Sequence, residues 1–331
     1  MELISGIKRY GKNMDIPIVT FKSLEDLAWL GCGFSTRLGG VSKSCFSSMN
    51  MSFCRGDDPV DVMENIRLFS EAAGFMPQNI VMPHQCHTTN VQIVGKNECG
   101  RGIRLSLLKS DEATVESNLS DEKNRTVLTD KPGTEEEVDG QITDEQGVVL
   151  YVLGADCVPI FIVDTAKKII SAIHAGWRGT VGDIVSAAIR KMKVEFGCDT
   201  KDMRAVIGPS ICQDCYEVSK DVADLFLEKY GGSFYKQDNN IKVKDSDNSF
   251  EKIITIVRPA SGDFGNNPTE KYYLNLWETN RLNLINAGID SDKIEISGHC
   301  TRCHPNLFFS HRAHGNDRGV NIGYIYIKSI R

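Results

Sequence analysis

Two apolar segments of the chain each carry a side chain that can bind a metal ion. Residues 151–162 include Cys157, and the run that begins at residue 169 reaches His174. Apolar, β-branched runs of this length predict strands that are buried on both faces. Ligands at strand ends meet at one edge of an α/β sheet, where such sheets keep their sites. We therefore expect Cys157 and His174 to lie at the same edge.

A third donor is offered by residues 84–87, which read His84-Gln-Cys-His87. A thiolate with two imidazoles is a donor set that suits Zn²⁺, and three protein ligands leave one position open, as in catalytic zinc sites. Such a zinc ion lowers the pKa of bound water to about 7. The residues alone leave open whether His84 or His87 completes the site.

The eleven cysteines include two Cys-x-x-Cys pairs, Cys212/Cys215 and Cys300/Cys303. Together they would make a structural Cys₄ zinc site, but 84 residues lie between the pairs, whereas compact zinc ribbons place them closer. Cys300-x-x-Cys303-His304 also matches a c-type haem attachment motif, which needs an exported chain. A Cys157–His174 nucleophile pair is a further alternative, although no oxyanion motif accompanies it.

Composition excludes several classes of protein. Apolar residues make up 41% and charged residues 25% of the chain, as in soluble globular proteins. The net charge of −6 gives no basic footprint for nucleic acid, and no apolar run approaches the length of a membrane span. The first residues lack the apolar core of a signal peptide, so we expect a cytoplasmic protein with mostly free thiols.

The elements that must position these residues predict an α/β fold class. Helical periodicity and caps predict helices over residues 58–74, 181–196, 219–230 and 274–288. Apolar runs predict strands over residues 148–153, 203–209, 293–297 and 320–328, and residues 138–143 lead into the first of them. We expect one mixed α/β domain over residues 21–331, after an N-terminal segment 1–20, with a central, largely buried sheet flanked by helices. Polar stretches at 96–136 and 231–271 predict two irregular insertions.

A glycine-rich loop surrounds Arg37 in residues 31–42. Glycines let the backbone approach an anion, and the arginine would supply positive charge. An ordinary turn with a solvated arginine is the alternative interpretation. Arg178 has a similar setting between glycines, ahead of a helix whose N-terminus favours anions.

Six motifs in matching order carry a resemblance to a known family: residues 33–42, 84–87, 138–143, 155–159, 174–179 and 207–210. They resemble the laccase-domain (YfiH-like) family, and His174-Ala-Gly-Trp-Arg-Gly179 is its most specific motif. Members of this family were first called multicopper polyphenol oxidoreductases and are now regarded as zinc-dependent purine nucleoside phosphorylases. The resemblance runs from about residue 20 to the C-terminus, and residues 303–311 look more like the animal members than the short bacterial ones.

The resemblance implies Zn²⁺, rather than copper, bound by His87, Cys157 and His174. It implies phosphorolysis of adenosine, inosine, guanosine and methylthioadenosine to the free base and ribose 1-phosphate, together with deamination of adenosine. Purine nucleosides and phosphate are then the expected partners. Cys86 departs from the family pattern and puts an extra soft donor beside the metal, or else points away from it.

Catalytic and phosphate-binding roles follow as hypotheses. Besides Cys157, Asp139 or Asp156 would transfer the proton that deamination requires. Arg37, Arg178 and Arg312 are the candidates for binding phosphate. Two other functions stay open: a copper-dependent phenol oxidase, for whose multicopper centre seven histidines are too few, and a non-catalytic interaction protein that uses the acidic residues 96–136.

Overall fold

The computed structural model describes residues 6–10, 15–107, 133–134, 136–231, 234–237, 253–258 and 270–329. The described strands are β1 Ile7–Tyr10, β2 Ile16–Val19, β3 Leu30–Ser35, β4 Ile80–Val81, β5 Val91–Ile93, β6 Gly140–Thr143, β7 Val149–Gly154, β8 Val158–Asp164, β9 Ile169–Ala175, β10 Met203–Ile207, β11 Glu217–Val218, β12 Phe234–Gln237, β13 Ile254–Arg258, β14 Lys271–Leu274, β15 Ile294–Ile296 and β16 Asn321–Ile327. The described α-helices are α1 Pro59–Ala73, α2 Trp177–Val181, α3 Ile184–Phe196, α4 Lys220–Tyr230, α5 Leu276–Asn286 and α6 His311–His314.

The strands form two six-stranded sheets and one smaller sheet. The first sheet has the order β1-β2-β3-β16-β7-β4, the second β15-β10-β8-β9-β6-β5, and the third β11-β14-β13-β12. Both large sheets mix antiparallel with parallel pairs, such as β4 with β7 and β10 with β15. The mixed α/β fold class is confirmed, but two large sheets replace the single central sheet that we expected.

The two large sheets pack face to face, and helices cover their outer faces. Phe161 and Ile170 of the second sheet share a buried cluster with Leu150 of the first sheet. Side chains alternate along a strand, so the neighbouring Ile160 and Ile173 point the other way, into a cluster with α3 and α5. Helix α1 covers the outer face of the first sheet. Strands β8 and β9 are therefore buried on both faces, as their apolar sequence predicted.

The apolar run over residues 151–162 is two strands of different sheets. Strand β7 ends at Gly154 in the first sheet, and β8 begins at Val158 in the second. Residues 155–157 cross between the sheets and carry Cys157. Because β8 and β9 are antiparallel, with Val158 opposite Ala175, Cys157 lies beside the end of β9. The expectation that Cys157 and His174 lie at the same edge is thus confirmed. They meet there because β8 and β9 form a hairpin and both residues lie at its open end.

The helix-end signals in the sequence correspond to observed caps. The Asp58 side chain accepts a hydrogen bond from the amide of Val60, Pro59 is the first residue of α1, and Gly74 ends the helix at φ +82°. Asp183 caps α3 in the same way, by accepting from the amide of Ser186. The helix predicted from residue 181 therefore starts at Ile184, after the short helix α2.

The described parts of the two predicted insertions include strands and buried side chains. Residues 231–271 are predicted to be irregular, but they contain β12 and β13. The prediction is wrong there because the short apolar run around Ile254 and Ile256 stands among polar residues in the sequence. Residues 232–233, 238–252 and 259–269 lie outside the described residues. Residues 96–107 bury Ile103 and Leu105, and residues 108–132 and 135 of the other insertion lie outside the described residues. In the described part of the chain, every helix is too short or too polar to cross a bilayer.

Candidate functional site

His87, Cys157 and His174 converge between the two large sheets. His87 comes from the loop between β4 and β5, and Cys157 from the crossing after β7. His174 is the second-to-last residue of β9. One donor atom from each side chain lies within 4.8 Å of the others. Cys157 Sγ is 3.7 Å from His87 Nε2, and the two imidazole rings are 4.8 Å apart between centroids. The three side chains can therefore coordinate one ion.

Asp139 lies behind this group and is almost completely buried. Its Oδ1 accepts from His174 Nδ1 at 2.7 Å and from the amide of His87 at 3.1 Å. Its Oδ2 accepts from the amides of Cys86 and Thr88 and from the Thr88 hydroxyl. The bond to Nδ1 fixes the ring orientation and leaves Nε2 for a metal, as carboxylates do behind metal-binding histidines.

Electrostatics in the group favour an ionised thiol. Burial on its own raises the pKa of Cys157, but the neighbouring His174 and His87 lower it to about 6. Burial opposes the charged form of His174, whereas Cys157 and Asp139 raise the pKa of the imidazole to about 9. Burial likewise opposes ionisation of Asp139, and hydrogen bonds from His174 and Thr88 outweigh it, so that the pKa is about 2. A thiolate is the form that binds metals.

The backbone around the group adopts conformations that are rare for these residue types. His87 has φ +64° and Asp156 has φ +101°. Gly176 lies against both His87 and Cys157. A Cβ at this position would lie 2.6 Å from His87 Cδ2 and 3.3 Å from Cys157 Sγ. Only glycine fits between the two ligands without displacing one of them. This contact explains the first glycine after His174.

Asp156 holds the turn that presents Cys157. Its Oδ1 accepts from the hydroxyl of Thr301 at 2.6 Å, and its Oδ2 accepts from the amide of Arg312 at 2.7 Å. Its backbone carbonyl accepts from the amide of Ile211. Both sequence candidates for proton transfer thus have their carboxylate oxygens engaged by the protein itself.

A cavity of about 1080 Å³ opens over the three ligands. Arg318 lines it, is only 6% exposed, and has no hydrogen-bond partner for its Nε among the described residues. Burial lowers the pKa of Arg318. Arg55 and Arg104 line the same cavity. Arg318 is not among the arginines predicted from the sequence, although it precedes a glycine in a turn-rich segment, as Arg178 does, and glycines also surround Arg37.

The arginines chosen from the sequence have different surroundings. Arg37 donates to the carbonyls of Ser47 and Pro305 and packs over the Phe309 ring, and it does not line the cavity. Arg178 is exposed and lies 4.2 Å over the ring of the adjacent Trp177. Arg312 lies 4.9 Å over the Tyr216 ring. Its guanidinium also donates to the carbonyl of Glu217, and its amide donates to Asp156, the residue before Cys157, so Arg312 lies near the site. Neither Arg178 nor Arg312 lines the cavity.

The remaining donors of residues 84–87 form a separate contact. Cys86 Sγ lies 3.5 Å from His84 Nε2, and neither residue belongs to the group of three ligands. Cys86 therefore faces His84 rather than Cys157. Gln85 exchanges two hydrogen bonds with the backbone of Leu153 and so fastens the loop to β7.

The chain matches a known family over nearly all of its length. The model of the multi-copper polyphenol oxidoreductase laccase family matches residues 31–328. Purine nucleoside phosphorylase YlmD of Bacillus subtilis is 31% identical over 298 residues, which cover 89% of this chain and 88% of that protein. Adenosine deaminase RL5, from an unknown prokaryotic organism, is 31% identical over 89% of this chain and 93% of its own.

An animal relative and a crystal structure give the same result. Purine nucleoside phosphorylase LACC1 of Mus musculus is 29% identical over 95% of this chain, which spans 59% of that longer protein. The crystal structure of YlmD from Geobacillus stearothermophilus aligns with a TM-score of 0.72 and 29% identity, over 97% of this chain and 99% of that one. The chain therefore belongs to the multi-copper polyphenol oxidoreductase laccase family.

Proposed function

We propose that the protein is a zinc-dependent purine nucleoside phosphorylase that also deaminates adenosine. The observation that carries this proposal is the group of His87, Cys157 and His174 beneath a cavity that contains a buried arginine. The names of the relatives, purine nucleoside phosphorylase and adenosine deaminase, support it. A cavity of about 1080 Å³ has room for a nucleoside and phosphate together.

The donor set fits zinc. One thiolate and two imidazoles match the ligands that zinc prefers, with a fourth position left for an exogenous ligand. Asp139 supplies the carboxylate-to-histidine contact that such sites use. Among the described residues only one candidate ligand group contains histidine, which does not suit the several copper ions that the family description names.

The cavity also offers an anion site, and we assign it to Arg318. The Nε–H of its buried guanidinium has no partner among the described residues, whereas Nη1 donates to the carbonyl of Gly315. A phosphate oxygen would satisfy that donor and offset a charge that is costly to bury. Arg178 and Arg312 remain candidates, although neither lines the cavity and the Arg312 guanidinium donates to the carbonyl of Glu217. The guanidinium of Arg37 is engaged with the carbonyls of Ser47 and Pro305.

In phosphorolysis a phosphate oxygen attacks the anomeric carbon as the bond to the base breaks, which gives the free base and ribose 1-phosphate. Arg318 holds the phosphate and stabilises its charge. When bound, the metal supplies a Lewis acid that polarises an oxygen or nitrogen ligand. We propose that Asp139 orients His174 and that Asp156 holds the Cys157 turn, since neither carboxylate has an oxygen free of hydrogen bonds to the chain.

The proposal is tested by assaying purified protein with inosine and adenosine, with and without phosphate. We expect hypoxanthine from inosine only when phosphate is present, and loss of both zinc and turnover in Cys157→Ala. Cys45→Ser, which changes a cysteine far along the chain from the ligand group, is the control and should keep both. Blue thiolate–copper absorption with oxygen uptake on phenols would instead identify an oxidase, and full activity of Cys157→Ala would overturn the assignment.

A further inference from the structure

Four cysteines outside the candidate active site form a second cluster of metal donors. The Sγ atoms of Cys212, Cys215, Cys300 and Cys303 all lie within 4.8 Å of one another. The long segment between the two pairs argued against joining them in one site. The sheet removes that objection: β10 and β15 are parallel neighbours, and each pair follows the carboxyl end of one of these strands.

The distances in the cluster suit tetrahedral coordination. Zinc–sulfur bonds of about 2.3 Å place the sulfur atoms of a tetrahedral site about 3.8 Å apart. Cys212 Sγ lies 3.9 Å and Cys215 Sγ lies 3.4 Å from Cys303 Sγ. Cys215 closes a 3₁₀ turn on Cys212, and side chains three residues apart in such a turn point the same way.

The surroundings compensate the negative charge of a metal-bound tetrathiolate. The amides of Cys212 and Cys303 both point at Cys300 Sγ, at 3.3 and 3.4 Å. Arg302, within the second pair, reaches across and donates to the carbonyl of Cys215. Four thiols that bind Zn²⁺ release up to four protons and leave a net charge of −2, which these N–H groups and this guanidinium stabilise.

We propose that Cys212, Cys215, Cys300 and Cys303 bind a structural zinc ion that joins the loops after β10 and β15. Structural zinc sites are closed, four-coordinate and rich in thiolates. The ion would act on the candidate active site through Asp156, since Ile211 and Thr301, each adjacent to a cysteine of the cluster, hydrogen-bond that residue. Asp156 in turn precedes Cys157. The inference rests on the cluster alone and is independent of the proposed activity.

The test is zinc content of the full chain, purified with zinc and reductant, by elemental analysis. We expect about two zinc ions per chain in the wild type and about one in Cys157→Ala, which keeps only the cluster's ion. Cys303→Ser should also bind about one, and the double variant close to none. Cys45→Ser is the matched control and should keep both ions.

Two measurements on protein with an unaltered cluster guard against variants that fail to fold. In Cys157→Ala, four thiols should be protected from a thiol reagent until a chelator removes the zinc, and cobalt substitution should give intense thiolate charge-transfer absorption. Zinc-free Cys157→Ala in which the four cluster thiols react without any chelator would overturn the proposal. So would iron in place of zinc, or a chain two mass units lighter with a Cys215–Cys303 disulfide.

Discussion

Asp139 and His174 are joined twice, once through side chains and once through the backbone. Oδ1 of Asp139 accepts from Nδ1 of His174 at 2.7 Å, and the amide of His174 donates to the carbonyl of Asp139, also at 2.7 Å. These residues flank the pairing of β6 with β9. The two bonds fix both the position of the histidine and the rotation of its ring, so that Nε2 faces Cys157.

Asp139→Asn should weaken zinc binding at this site by about 10- to 100-fold, because loss of a carboxylate behind a metal-binding histidine has that effect. Chelator competition on the variant and the wild type measures the change. Asp199→Asn, a substitution in a surface ion pair, serves as the control and should leave zinc affinity unaltered. Wild-type affinity in Asp139→Asn would show that the carboxylate does not orient the ligand.

The acid stability of the metal-free protein should depend on Asp139. Its pKa falls from 3.8 to about 2 on folding, so its ionised form stabilises the folded state above pH 3.8, and this contribution disappears as the pH falls toward 2. The shift corresponds to about 2 kcal/mol. Urea unfolding of wild type and Asp139→Asn at several pH values should show a stability difference that shrinks by that amount across this range. A difference independent of pH would contradict the assignment.

Gly176→Ala should disrupt the ligand group without unfolding the protein. Its Cβ would lie 2.6 Å from His87 Cδ2, so the imidazole must move, and we expect a loss of zinc affinity of about ten-fold or more. Gly179→Ala is a close control, since a Cβ there meets its nearest atom at 3.4 Å. Circular dichroism and zinc titration of both variants separate a displaced ligand from a misfolded chain. Normal zinc binding by Gly176→Ala would refute the steric argument.

Arg318→Met should raise the KM for phosphate by about 10- to 100-fold, the effect of losing a charged hydrogen bond of roughly 1.5–3 kcal/mol, and should leave zinc content unchanged. Phosphorolysis of inosine at varied phosphate concentration measures it. Arg204→Met, in an ion pair with Asp26, is the control. A larger effect of Arg312→Met or Arg178→Met than of Arg318→Met would assign the phosphate to that arginine instead of Arg318.

The group of three candidate metal donors could be predicted from the sequence because the residue types and strand context of its members are local features. Cys157 and His174 each adjoin an apolar run, and they lie at one sheet edge as expected, although the antiparallel pairing of β8 with β9 that brings them there was not predicted. The choice of His87 over His84 needed the family resemblance, because it depends on a left-handed backbone at His87 that local sequence does not reveal.

The parts that sequence did not predict depend on long-range pairing. The cysteine pairs meet because β10 lies beside β15, and no periodicity specifies which strands become neighbours. Arg318 is a candidate for binding phosphate because it is buried in the wall of the cavity. Arg37 lies in a loop that is also rich in glycine, but it donates its N–H groups to backbone carbonyls. Loop composition alone does not distinguish these two outcomes.

The position of β16 has a consequence for biosynthesis. This strand lies between β3 and β7, and the amide of Ile322 bonds to the hydroxyl of Ser35, 287 residues earlier. While the chain emerges from the ribosome, β3 and β7 therefore each keep one edge unpaired until β16, which is synthesised much later, inserts between them. Such non-local closure is slow and exposes apolar surface, so nascent chains of this protein should depend on chaperones until β16 inserts.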